Sequence, residues 1–164
     1  MRKSLVWVAV VPILVIATGC APSANEQPTC RSDPPTLLMA ESVATASLIP
    51  CVDALPQGWT WHSFQADDAS ATFSLEQQDG DGALEVALVG ACDVSGDGEP
   101  VQGFPSAERY RSVNDTATNV TWTSTFPGGC ARTSLTFSSR PEQTEVDRMQ
   151  RAISFIPRDQ LRPE

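Results

Sequence analysis

Apolar and polar positions alternate with a period of two through the middle of this chain, and that alternation predicts a sheet. In WTWHSF, Trp59, Trp61 and Ser63 fall on one side and Thr60, His62 and Phe64 on the other. In ATFSLEQ, Ala71, Phe73 and Leu75 share a face opposite Thr72, Ser74 and Glu76. Asp79-Gly80-Asp81-Gly82 is a strong hairpin turn signal. The returning ALEVALVGAC puts Leu84, Val86, Leu88 and Cys92 on one face, and its apolar residues on both faces mark a central strand. A polar loop follows, then a short strand over 109–113, a turn at NDTATN, and the strand NVTWTSTF with Val120, Trp122 and Phe126 facing in. Pro127-Gly128-Gly129 turns the chain into ARTSLTFS, where Leu135 and Phe137 point to the core.

Helical spacing replaces this alternation at both ends of the sheet. TLLMAESVATASLIP fits no single period; its alanines allow a short helix over 44–49 that Pro50 ends. Near the C-terminus, Val146, Met149, Ile153 and Ile156 form one apolar stripe, and Pro157 stops the run. Ser139 and Glu142 have capping-box spacing, Pro141 suits the first turn, and Glu142 and Glu145 lie near the positive end of the helix. The expected fold class is α+β, with an antiparallel meander of about five or six strands covered by the C-terminal amphipathic helix and preceded by a short N-terminal one.

Ahead of this domain the pattern changes twice. Leu5 to Ala17 is an apolar run of 13 residues behind Arg2 and Lys3. It is shorter than the roughly 20 residues a membrane-spanning helix needs, and it has the flanks of an export signal. The next stretch, APSANEQPTCRSDPP, is polar, proline-rich and without period, as a flexible tether would be. The expected organisation is a signal peptide over 1–19, a tether over 20–35 and one domain over 36–164.

The run ends in Ala17-Thr18-Gly19-Cys20, which resembles the lipobox of bacterial lipoproteins. That resemblance implies an acylated Cys20 as the first mature residue. Ala17 stands where leucine is commoner, and the Gly19-Cys20 junction is intact. Two acyl chains give stable membrane anchoring, so the domain is expected on the extracytoplasmic side of the cell membrane, held by lipid.

Charge narrows the partners. Removing Arg2 and Lys3 with the leader turns the formal charge from −9 into −11 and leaves arginine as the sole strong cation. Nucleic acids and anionic headgroups need clustered cations, so neither is an expected partner. Once Cys20 is assigned to lipid, Cys30, Cys51, Cys92 and Cys130 remain, an even number that reads as disulfides in an exported protein. There is no Cys-x-x-Cys spacing, and His62 is the only histidine, so no metal or other cofactor is expected. In an up-and-down meander the ends of the third and fifth strands share an edge. That pairs Cys92 with Cys130 and leaves Cys30 for Cys51.

SLIPCVDALPQGW, followed later by FPGGC, is similar to an actinobacterial family of secreted or membrane-anchored domains with no assigned function. Pro50, Cys51, Pro56, Gly58 and Trp59 match the first phrase, and Gly128, Gly129 and Cys130 the second. The resemblance implies a shared extracytoplasmic fold over roughly 36–162 and brings no catalytic residues with it.

No residue set spells out a reaction. Ser63 is expected on the face opposite His62, there is no Gly-x-Ser-x-Gly elbow, and the mature chain has no lysine for a Ser-x-x-Lys pair. Asp93-x-Ser95-x-Asp97-Gly98 imitates the start of a calcium loop, but Phe104 stands at the twelfth position where an acid is required. Asn114 and Asn119 head glycosylation sequons that read as turn chemistry in this setting. Trp59, Trp61 and Trp122 read either as core or as a stacking platform. The expected role is binding or accessory work at the cell envelope, on an envelope protein, glycan or lipid. A carrier enclosing an apolar ligand between sheet and helix, and an envelope hydrolase, are the alternatives.

Overall fold

The computed structural model describes residues 27–161 apart from 97, 104 and 106. Cys20, the signal peptide and the first part of the tether lie outside the described residues. The fold is α+β and built on a large antiparallel sheet. In chain order the elements are α1 (Pro34–Ser42), β1 (Leu48–Val52), β2 (Trp59–Asp67), β3 (Ser70–Gln77), β4 (Gly82–Val89), β5 (Glu99–Val101), β6 (Glu108–Val113), β7 (Asn119–Phe126), β8 (Gly129–Phe137), α2 (Gln143–Ala152) and β9 (Ile153–Pro157). A short 3-10 turn, Arg158–Gln160, follows.

Seven strands form the main sheet in the order β2-β3-β4-β8-β7-β6-β5, and β1 and β9 pair separately. This corrects the expected single meander of five or six strands. Two antiparallel blocks, β2-β3-β4 and β5-β6-β7-β8, are joined where β4 meets β8. After β4 the chain crosses to the far edge of the sheet and works back. β8 earns its central place through its composition, with six of its nine positions buried.

One face of the sheet carries the core. Phe73, Leu75, Leu84, Val86, Leu88, Trp122 and Leu135 are all essentially buried there. Three elements cover it: α1 through Met39, α2 through Val146 and Met149, and the β1–β9 ribbon through Ile49, Val52 and Ile153. The cover is therefore not a single C-terminal helix. α2 ends at Ala152, and Ile153 and Ile156, expected on its stripe, lie on β9 opposite Val52 and Ile49. Ile-Ser-Phe-Ile is β-branched and aromatic, and β1 offers it a free edge, so pairing wins over continuing the helix. The capping box is also absent: Glu142 is the N-cap with no side-chain cap bond, and Pro141 precedes the helix.

At the other end, 48–49 belongs to β1 and the helix lies upstream. Asp33 caps α1, its Oδ1 accepting from the Thr36 N–H at 2.9 Å, with Pro34 and Pro35 at the first two helical positions. Its Oδ2 accepts from the Thr29 N–H at 2.8 Å and from the Thr29 hydroxyl. Thr29 in turn bridges to Val52, so the last part of the expected tether is tied into the domain. Replacing Asp33 with Ala removes a helix cap and two further acceptor contacts. The expected cost is about 2 kcal/mol, read as a lower urea midpoint at unchanged slope.

Candidate functional site

The face of the sheet turned away from the core is dressed with hydroxyls, amides and carboxylates. Cross-strand register aligns Ser63, Ser74, Glu85, Ser134 and Thr121 in one row, and Thr60, Glu76, Ala83, Thr136 and Asn119 in the next. On β4 the outward residues beside Glu85 are Ala83 and Ala87. Small side chains on one strand between longer ones on β3 and β8 leave a trough along β4. It is an open cavity of about 520 Å³ lined by His62, Ser63, Gln65, Thr72, Ser74, Glu76, Glu85, Ser134 and Thr136, among others.

A β-bulge shapes one wall. The β2–β3 register shifts between Trp61 and Ser63, which resets the alternation. Ser63 therefore sits opposite Ser74, with the two hydroxyls 2.7 Å apart, and Phe64 turns inward opposite Phe73. The expectation that Ser63 and His62 occupy opposite faces is overturned: both line the trough. His62 Nδ1 lies 3.2 Å from Glu76 Oε2, with both side chains about half exposed. The Ser63 hydroxyl is directed to Ser74, and no described hydrogen bond joins it to His62. The arrangement has a histidine–acid pair and no activated nucleophile.

The electrostatics of this region are one-sided, and the run of sequence between two distant arginines carries that signal. Between Arg31 and Arg109 the chain has no Lys or Arg, while Asp67, Asp68, Glu76, Asp79, Asp81 and Glu85 all fall there. All of β2, β3 and β4 lies in that interval, and its one ionisable base is His62. Arginines reappear on β6 and β8. A trough with carboxylates along it and no fixed cation on three strands attracts positive or neutral polar groups and repels anions.

The two phrases of the family resemblance meet in space, away from the trough. Ser47 N–H donates to the Pro127 carbonyl at 3.0 Å, and Arg158 N–H donates to the Ser47 carbonyl at 2.9 Å. Gly128 has φ +71°, and a Cβ there would lie 1.9 Å from the Thr45 carbonyl oxygen. A Cβ on Gly129 would lie 2.8 Å from the Ala46 Cβ and 2.7 Å from the Phe126 ring. These residues thus serve packing. An open groove of about 850 Å³ beside them is lined by Leu48, Pro127, Pro157 and Arg158 among others.

Cys30 is bonded to Cys51 and Cys92 to Cys130. The second bond spans the β4–β8 join, since Cys130 sits opposite Val89 at the end of β4. Direct pairing of β4 with β8 brings the cysteines together, not the shared edge of alternate strands in a simple meander. Cys92 lies beyond β4, not on its face. Asp93 accepts the Ser95 N–H at 2.9 Å, and Ser95 holds its carboxyl below the usual range; Asp97 and Phe104 lie outside the described residues. No group of three or more potential metal ligands occurs among the described residues. Asn114 organises its turn, its Oδ1 accepting the Asn119 N–H at 2.9 Å. Trp59 and Trp122 are core residues at 4% and 1% exposure, and Trp61 stacks on Phe73 with ring centroids 5.8 Å apart. They leave no aromatic platform on the polar face. Comparison with family models, curated proteins and solved structures returns no match.

Proposed function

We propose that this protein is a lipid-anchored, extracytoplasmic binding domain whose polar sheet face is its contact surface, with the β4 trough taking a neutral or cationic polar ligand. The trough carries this reading: it is open, lined with hydrogen-bonding side chains, and flanked by Glu76 and Glu85 with no Lys or Arg on β2, β3 or β4. The anchor rests on the lipobox resemblance at Cys20 and the polar stretch after it. The carrier alternative is less favoured. Val146 and Met149 are buried in the core cluster beneath α2, where this reading would need a cavity. The hydrolase alternative draws on the His62–Glu76 pair but lacks a positioned nucleophile.

Both halves are tested with one variant set. Cys20→Ala should move the protein from the membrane to the soluble fraction; persistence at the membrane removes the anchor. Spermidine titrated into the ¹⁵N-labelled Cys20→Ala protein should shift the amides of Ser74, Glu85 and Ser134 saturably. Adding Glu85→Arg should abolish the shifts. Shifts that ignore Glu85→Arg, or that map to other strands, remove the trough as the cation site.

A further inference from the structure

The main sheet has two edges of very different character. The β5 edge is three residues long and contains Pro100, which blunts it. The β2 edge is nine residues long, without proline or lysine. β2 is hydrogen-bonded along its length to β3 and stands at the end of the strand order, and the Trp59 N–H donates to the Pro56 carbonyl. The bulge at His62 limits the regular part of this edge to 63–67. On the core side of the edge, Phe64 and Ala66 pack against the core and are only partly buried, so apolar surface reaches the edge. On the other side lies the trough, with Glu76 opposite Thr60 and Glu85 one strand further.

We infer that the β2 edge receives an extended segment of a partner polypeptide, which adds a strand to the sheet beside the trough. This deepens the binding role proposed above and rests on it. Strand addition supplies affinity through main-chain hydrogen bonds and selectivity through alternate side chains. Here the alternation fits apolar residues set against Phe64 and Ala66 and basic residues set toward Glu76 and Glu85. The choice of a basic partner follows from charge: Asp67 ends the strand, Asp68 follows it, and β2, β3 and β4 offer no Lys or Arg to meet an acidic one. The same charge opposes pairing with a second copy, which would set two acidic edges side by side.

The test uses the full chain carrying Cys20→Ala and a short peptide alternating valine and arginine. A second peptide of identical sequence is N-methylated at alternate residues, so that it keeps every side chain but loses the N–H groups a strand partner needs. The unmodified peptide should bind and slow hydrogen exchange at β2 amides between 63 and 67. Methylation should weaken binding at least about tenfold, the expected loss for two main-chain hydrogen bonds. Equal binding of both peptides, or protection elsewhere, overturns the strand-addition proposal. If the peptide then still shifts Ser74 and Glu85, the trough reading survives; if neither peptide nor spermidine does so, both fall. Dimerisation through β2, seen by sedimentation with the β2 amides protected in the absence of peptide, also overturns the proposal. So does a neutral chito-oligosaccharide that protects the β2 amides better than the peptide.

Discussion

Gly128→Ala should destabilise the domain by about 3 kcal/mol or more, although it adds one methyl group to an exposed turn. Two effects combine. The residue has φ +71°, where a non-glycine residue costs on the order of 1–3 kcal/mol. The new Cβ would also stand 1.9 Å from the Thr45 carbonyl oxygen, a backbone atom that cannot swing aside. Relief requires the β7–β8 turn to lift from the 45–47 segment, breaking the Ser47 N–H bond to Pro127. Gly58→Ala is the matched control. It has φ +85° with nothing within 4 Å of the added Cβ, so it should cost only the conformational share, about 1 kcal/mol. Urea denaturation of the two variants separates the effects. Equal losses would mean that the close approach to Thr45 carries no energy.

Reducing both disulfides should have a still larger effect. The bonds close loops of 21 and 38 residues in sequence separation. Loop entropy assigns them about 3 and about 4 kcal/mol respectively, so together they rival the roughly 5–15 kcal/mol that separates a folded domain from its unfolded chain. The reduced protein is expected to be substantially unfolded at 37 °C. Paired alanine variants resolve the contributions. Cys92→Ala with Cys130→Ala should cost more than Cys30→Ala with Cys51→Ala, because its loop is longer and holds the β4–β8 join between the two blocks of the sheet. A reduced protein within about 1 kcal/mol of the oxidised one would show that packing alone suffices, contrary to the entropy argument.

The strands were readable where one face meets the core and the other meets water, because burial on one side forces a period of two. β3 and β4 follow their alternation residue by residue, and the acidic-glycine turn between them lies where its composition puts it. Readability fails where a neighbour decides. Asp33-Pro34-Pro35 is a helix start, but it sits in a stretch whose overall composition suits a tether. Ile153 and Ile156 fit a helical stripe as well as a strand, and the free edge of β1 settles the choice. The trough needed both kinds of information: its residues alternate correctly on β3, but His62 and Ser63 share a face only through the bulge.

An antiparallel α+β domain, four cysteines beyond Cys20 and an acidic interval free of Lys and Arg could all be read from the sequence. These follow from local patterning and covalent composition, which need no knowledge of neighbours. Long-range packing placed β8 against β4, and that contact brings Cys92 to Cys130. It also gathered the hydroxyls of β3 and β8 around Glu85 as one polar trough and put β2 at the end of the sheet. Such outcomes depend on which strands pair over long sequence separations, and a period of two is the same whichever neighbour a strand finds.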